Sequence, residues 1–298
     1  MDEEDDYETF LENWEPSESL LHASLSQHVD DPLISRRLVD DDECGKVRRI
    51  PYAPGIKGMS VEEERARRYL FFVEKQPKWS AEFEDLVCSN GVPRSKFDTY
   101  VNSFARVWVD GSVRQSSPQM LAIKASIQAY DQARHQLSAG RYVVEAVSPT
   151  VTPLLTVDEV EAIFAANSGL MEALLPDYID ALGYVGPGSL GDLYVHRGVH
   201  MPVVGSIRQE LHYLSSFSLA VGPVEQFAQT WTPQTRRGGV PSIFSAPLPA
   251  IQERVVAFAP FISSMTLRQL ELVVAPPVVE TKLSHDGTFG RIEQFSFR

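Results

Sequence analysis

The chain changes character near Gly186, and this change limits the fold classes open to it. Before that point apolar residues recur at helical spacing, as in Phe97, Val101, Phe104 and Trp108, which predicts helices that bury these side chains in a core. After it come six short runs rich in strand-forming residues, separated by Gly, Pro and Ser: 193–199, 214–219, 254–258, 269–274, 278–283 and 292–297. A block of helices followed by a block of short strands predicts an α+β fold.

Capping signals mark where several helices begin. Thr156 and Glu159 have the spacing of a capping box, and Ser117 precedes a proline that suits the first helical position. Another helix is expected to start after Ser80 and to stop near Gly91. The helical block therefore divides into several short helices.

The charge of the chain is concentrated at its beginning. Residues 1–44 hold fifteen acidic and two basic residues, so they carry the whole formal net charge of −13. Residues 1–58 are expected to form an acidic disordered tail, either a solubilising segment or a partner-binding arm. Residues 45–298 are formally neutral, and a neutral body is poor evidence for nucleic-acid binding. Residues 59–112 are expected to be a helical segment, either a targeting module or an N-terminal extension.

Several classes of protein are excluded by simple features. No apolar run reaches the roughly 18 residues of a membrane span, and the acidic start does not resemble a secretory signal peptide. Cys44 and Cys88 cannot make a disulfide framework and do not suffice for a zinc site. We therefore expect a cytoplasmic protein without a membrane partner.

Two apparent ligand motifs do not fit their context. Residues 186–191 match the dinucleotide pattern G-x-G-x-x-G, but a helix is expected before them and a strand after them, the reverse of what phosphate binding needs. His196 and His200 lie on a predicted strand, where residues four apart are about 13 Å from each other. We expect a loop at the first motif and no metal at the second.

An arginine stands inside the first predicted strand. Arg197 follows apolar residues and precedes Gly198. Burying a guanidinium is costly unless it meets an anion, and glycine permits close approach of a ligand or backbone. The pair suits a pyrophosphate held by a guanidinium fork, although a half-exposed arginine on an edge strand is an alternative.

Two later strands carry polar pairs. Ser216 and Ser218 are two residues apart on one strand, as are Gln269 and Glu271 on another, so each pair is expected to share a strand face. A polar pair on a strand is also typical of a solvated face.

Together these pieces resemble the mono-ADP-ribosyltransferase family. Its members carry, in order, an Arg-Gly strand, a Ser-x-Ser strand with a downstream Phe, and a Glu/Gln-x-Glu strand. The matching positions are Arg197-Gly198, 216–218 with Phe227, and 269–271. The resemblance covers about residues 115–298 and implies a catalytic domain over 113–298 with a mixed or antiparallel β-sandwich. It implies NAD as co-substrate and no metal.

The resemblance also implies roles for single residues. Glu271 would stabilise the cation that develops on the ribose, and Gln269 would orient the acceptor. Arg197 and Gly198 would bind NAD phosphate. Gln in place of the more common Glu puts arginine specificity in doubt.

The remaining family positions also have implied roles. Ser216, Ser218 and Phe227 would complete the NAD site. Phe261, in the segment before the last of these strands, would recognise the acceptor protein, with a place in the core as an equal alternative.

The resemblance implies an enzyme that transfers ADP-ribose from NAD to a protein, releasing nicotinamide. It could be a phage-encoded enzyme that modifies host proteins, or a bacterial toxin or effector that acts in a host cytoplasm. The alternatives are a non-enzymatic viral structural or interaction protein and an NAD glycohydrolase on the same fold. If it is an enzyme, Arg197, Ser216 and Glu271 should converge on one cleft.

Overall fold

The helices of the protein come first along the chain. The computed structural model describes residues 61–109, 117–135, 150–181, 190, 193–201, 214–219, 224, 227–228, 240–267, 269–277, 283–289 and 292–297. The helices are α1 (Val61–Ser89), α2 (Arg94–Tyr100), α3 (Arg106–Val109), α4 (Pro118–His135) and α5 (Val157–Ala181), and a π-helical turn, Val101–Ala105, joins α2 to α3. The predicted tail, 1–58, and the motif at 186–191 fall outside the described residues. No helix in the described ranges has the length and apolarity to cross a membrane.

Two predicted helix starts are confirmed and one is wrong. The Thr156 amide donates to Glu159 Oε2 at 2.8 Å and the Glu159 amide donates to Thr156 Oγ1 at 3.2 Å, which is a complete capping box. Ser117 Oγ accepts from the Met120 amide at 3.2 Å. Ser80 does not begin a helix, because α1 continues through it and its hydroxyl donates back to the Pro77 carbonyl at 3.3 Å.

Seven strands form one mixed sheet, so the predicted α+β class is confirmed. They are β1 (Tyr194–Met201), β2 (Ser215–Ser218), β3 (Val240–Pro247), β4 (Val255–Phe258), β5 (Glu271–Val274), β6 (Leu283–Phe289) and β7 (Ile292–Phe297). Their order is β4-β5-β2-β1-β3-β7-β6, and every described pair is antiparallel except β3 with β7. The sequence prediction missed β3, because prolines at both of its ends resemble strand breakers.

The helices and the sheet share one hydrophobic core. The Phe72 ring of α1 lies 6.3 Å from the Phe258 ring of β4, and the Tyr100 hydroxyl of α2 donates to the Val256 carbonyl at 2.6 Å. Asn167 of α5 donates to the same carbonyl at 3.0 Å. The buried side chains of both regions belong to one continuous cluster, so the predicted boundary between residues 112 and 113 runs through a common core.

Candidate active site

A row of polar residues crosses four neighbouring strands on one face of the sheet. Ser218 of β2 is paired directly with Glu271 of β5 and with His196 of β1, and His196 is paired with Ser245 of β3. Directly paired residues of antiparallel strands project from the same face. Three of the four, His196, Ser218 and Glu271, are buried, so the sheet holds a line of desolvated polar groups that ends at a carboxylate.

Ser218 also fixes the chain that leads into Glu271. Its hydroxyl donates to the carbonyl oxygen of Gln269. Leu270, between the two polar residues, has a φ of +43°, a left-handed conformation that costs a non-glycine residue about 1–2 kcal/mol. Such strain persists only where the surroundings impose it.

The left-handed residue corrects one expectation. Gln269 and Glu271 were expected to share a strand face, but β5 begins only at Glu271. The reversal at Leu270 interrupts the alternation on which that expectation rested. Gln269 and Glu271 are both buried, with 8% and 4% of their surface exposed.

Ser216 is the more accessible of the two predicted serines. It is half-buried and is paired with Val273, which places it diagonally from Glu271 on the same face. Diagonal neighbours in a sheet lie roughly 7–8 Å apart. Ser216 Oγ accepts a hydrogen bond from Trp108 Nε1 at 2.9 Å. The structure therefore brings Ser216 and Glu271 together and adds an indole from the helical segment.

Arg197 contacts Ser216 through the main chain of Ser216. Strand alternation along β1 directs its Cβ to the face opposite that of His196. Its Nη1 donates to the main-chain carbonyl of Ser216 at 3.2 Å. The predicted convergence of three side chains on one cleft is therefore wrong for Arg197. Ser216 and Glu271 share one face of the sheet, whereas the Arg197 side chain leaves from the opposite face and contacts the main chain of Ser216. Its phosphate-binding role stays a prediction.

Gly198 lies against another part of the protein's own backbone. A Cβ on this residue would lie 1.8 Å from the Val224 carbonyl oxygen and 2.8 Å from the Ala228 nitrogen. The main-chain oxygen of Ala228 also lies 3.0 Å from Nδ1 of His200. The close approach that glycine permits is therefore made by the protein's own backbone, which corrects the expectation of a phosphate there.

Phe227 lies between Val224 and Ala228, the two residues that pack against Gly198. Its side chain is 41% exposed, which is unusual for a large apolar residue in this protein. Its neighbours Val224 and Ala228 are buried against Ile243 and Ile292 in a small separate cluster. Phe227 is thus held on an anchored segment with its ring accessible, and its contact with NAD stays a prediction.

The segment 259–265, before β5, is held by the side-chain amide of Gln76 in α1. Gln76 Nε2 lies within hydrogen-bonding distance of three main-chain oxygens, those of Ile262 at 2.9 Å, Met265 at 3.0 Å and Ala259 at 3.4 Å. An amide NH₂ has two hydrogens, so it can satisfy the two nearer oxygens fully. One helical side chain therefore fixes the turn that leads toward Glu271.

Phe261, in the same segment, belongs to the core. Its side chain is 1% exposed and lies 5.9 Å from the Trp79 ring and 6.0 Å from the Phe83 ring, both in α1. Arg106 Nη2 donates to the neighbouring Ser263 carbonyl at 2.6 Å. The expectation that Phe261 recognises an acceptor protein is therefore wrong, because a buried ring offers no surface to a partner.

The imidazole of His196, in the middle of the polar row, is 1% exposed. Burial lowers the pKa of His196 to about 3, because the charged imidazolium would lose its hydration. Its Nδ1 lies 2.8 Å from Ser245 Oγ. The ring is therefore neutral at physiological pH and acts as a hydrogen-bonding group.

A separate groove lies between α4, α5 and the turns around β4. It has a volume of about 740 Å³ and is lined by the stacked rings of Tyr130 and Phe164 and by the carboxylates of Glu161 and Glu253. None of the predicted site residues lines it. Within the described residues, no group of three His, Cys, Asp or Glu side chains is placed to hold a metal.

Sequence reasoning missed three residues of the site: Gln76, Trp108 and His196. Trp108 lies on the apolar stripe of its helix and was expected in the core, and Gln76 has no pattern that distinguishes it. His196 was considered only as a metal ligand. Its position directly before Arg197 in the sequence could have drawn attention to it.

Comparison of the chain with protein families, with curated proteins and with solved structures finds no match. The order of the motifs and the geometry of these strands are therefore the observations that bear on function.

Proposed function

We propose that the protein is an NAD-dependent ADP-ribosyltransferase that acts on a protein side chain and releases nicotinamide. The observation that carries the proposal is the pairing of Ser218 with Glu271, with Ser216 on the same face. Ser216 and Ser218 of one motif thus lie on the strand next to Glu271 of the other motif, although Ser218 and Glu271 are 53 positions apart in the sequence. This pairing supports the proposal because it places the Ser-x-Ser strand beside the carboxylate to which the proposal assigns catalysis.

The chemistry suits a buried carboxylate. The bond between ribose C1′ and the nicotinamide nitrogen breaks with its electron pair, so nicotinamide leaves neutral and positive charge develops on the ribose, as in glycoside cleavage. The acceptor then bonds to C1′ and loses a proton. Glu271 is 4% exposed, and a fixed carboxylate in a desolvated site stabilises developing positive charge more strongly than water does.

The residues around Glu271 have different roles in this proposal. Ser216, half-buried, is able to hydrogen-bond a ribose hydroxyl near Glu271. Ser218 holds the backbone before Glu271 through Gln269. Arg197 holds the backbone of Ser216. In this proposal NAD binds through Ser216 and Glu271.

A second candidate, an NAD glycohydrolase, is favoured by a specific observation. The two residues assigned to the acceptor protein, Phe261 and Gln269, are 1% and 8% exposed. Water reaches such a site more easily than a protein side chain does. Hydrolysis uses the same bond cleavage with water as the acceptor, and Glu271 keeps its role.

Incubation of the full chain with labelled NAD and a mixture of cellular proteins tests the proposal. Label on protein supports transfer, and free labelled ADP-ribose supports hydrolysis. The Gln269→Ala variant separates the two further: an acceptor-orienting role predicts a lower ratio of protein-bound to free ADP-ribose. Intact NAD after incubation, with no nicotinamide released, would contradict both candidates.

A further inference from the structure

The indole of Trp108 connects the helical segment to the candidate NAD site. It lies in α3, 108 positions before Ser216, and its Nε1 is 2.9 Å from Ser216 Oγ. Both side chains are half-buried. The hydrogen bond therefore lies at the edge of the site, where Ser216 is still accessible to a ligand.

The chemistry of this hydrogen bond determines which partner donates and which accepts. An indole N–H can only donate a hydrogen bond, so Ser216 Oγ must be the acceptor. A hydroxyl has a single hydrogen, which is then available to a different acceptor. In the absence of the indole, the same hydrogen could turn toward any nearby oxygen.

The indole itself is held by its neighbours. The Phe104 ring lies 5.7 Å from the Trp108 ring, and the Tyr100 ring lies 5.9 Å from the Phe104 ring, so the three aromatics form a row at helical spacing. Lys124 Nζ of α4 lies 5.3 Å from the centre of the Trp108 ring, a cation–π distance. The Tyr100 hydroxyl ends the row with its bond to the Val256 carbonyl of β4.

We propose that Trp108 is a positioning residue of the NAD site, which donates to Ser216 and so reserves the Ser216 hydrogen for an oxygen of the bound ribose. The proposal rests on the proposed function. A hydroxyl already oriented for its ligand loses less freedom on binding, so the gain is in the affinity for NAD and in the transition state that forms from it. The N-terminal helical segment is then part of the catalytic unit.

The test is a double-mutant cycle on the full chain with NAD as the probe, measured as nicotinamide release and as NAD binding by calorimetry. Trp108→Phe keeps an aromatic ring and removes the donor. It should lower kcat/KM by about threefold to tenfold, the usual effect of one neutral hydrogen bond, mostly through a higher KM. In a Ser216→Ala background the same change should have almost no effect, because the partner is already absent.

Several results would overturn the proposal. Equal losses from Trp108→Phe in both backgrounds would show that the indole acts on packing and not on Ser216. A faster reaction in Trp108→Phe would show that the indole obstructs the site. Tyr69→Phe, a change at a 42% exposed aromatic of α1, is the control that should match wild type. Wild-type protein that neither binds nor cleaves NAD would overturn the proposed function together with this role, whereas an additive cycle in an active enzyme would overturn this role alone.

Discussion

Ser218 of β2 is paired directly with Glu271 of β5, and both side chains are buried on the same face of the sheet. The Ser218 hydroxyl donates to the carbonyl oxygen two residues before the carboxylate. The Ser218 hydroxyl therefore holds the backbone just before the first residue of β5. This relationship makes Ser218 a structural support for the carboxylate.

The two serines of the motif should respond differently to truncation. Ser218→Ala leaves a buried carbonyl at Gln269 without its donor, so it should cost about 1–3 kcal/mol of unfolding free energy and reduce NAD cleavage. Ser216→Ala removes a half-buried hydroxyl and should raise KM for NAD with little change in stability. Chemical denaturation and nicotinamide release measure the two effects. Equal stability losses would contradict this division.

Gln76 should affect the reaction from a distance. Gln76→Leu removes the amide that fixes the 259–265 segment, so both stability and NAD cleavage should fall, the former by about 1–3 kcal/mol. The matched control is Gln252→Leu, which removes an amide bonded to the Ser168 carbonyl at 2.9 Å. The control should lose similar stability and keep its rate of NAD cleavage below the unfolding temperature. Loss of activity in both variants would show a general effect of lower stability.

His196 should make the protein sensitive to acid. Its pKa in the folded state, about 3, is below the value of about 6.5 expected for an unfolded chain. The unfolded state therefore binds a proton first as pH falls, and this contribution to stability is present above about pH 6.5 and is lost progressively toward pH 3. His196→Gln should unfold with a shallower dependence on pH over this window. Identical pH profiles of the free energy of unfolding for the two proteins would contradict the assignment.

Much of the fold follows from patterns that act locally. The capping box at Thr156 and Glu159 appears in the structure as the spacing predicts, because its hydrogen bonds join residues three apart. The strand at 292–297 has the bounds expected from its composition. Local propensity, turn residues and caps are sufficient for such elements.

The rest depends on contacts between distant parts of the chain. Phe261 was an equal choice between core and surface, and rings from α1 decided it. Gly198 could admit a ligand or a backbone, and only the position of Val224 shows which. Trp108 belongs to an apolar stripe, yet its indole N–H faces a polar partner 108 residues away. Periodicity shows which side of an element is apolar but not which partner it meets.

Two phenylalanines proposed for binding should behave in opposite ways. Phe261→Ala removes a fully buried ring and should cost about 3–5 kcal/mol of unfolding free energy, with any loss of activity following the loss of folded protein. Phe227→Ala removes a ring that is 41% exposed and should leave the unfolding temperature nearly unchanged while raising KM for NAD. Unfolding monitored by circular dichroism and NAD titration test the pair. A stable Phe261→Ala protein with altered acceptor preference would restore the recognition role.

The central claim is that Glu271 stabilises the transition state for breaking the nicotinamide–ribose bond. The direct measurement is the rate of nicotinamide release from NAD by the full chain and by Glu271→Gln, which keeps the size of the side chain and removes its charge. Glu293→Gln on β7, where the carboxylate pairs with His285, is the control for loss of an acidic group elsewhere on the sheet. Loss of an electrostatic stabiliser typically costs about 10²–10³ in rate, so we predict a fall of that size for Glu271→Gln and a wild-type rate for Glu293→Gln. Release of nicotinamide by folded Glu271→Gln at the wild-type rate would contradict the account.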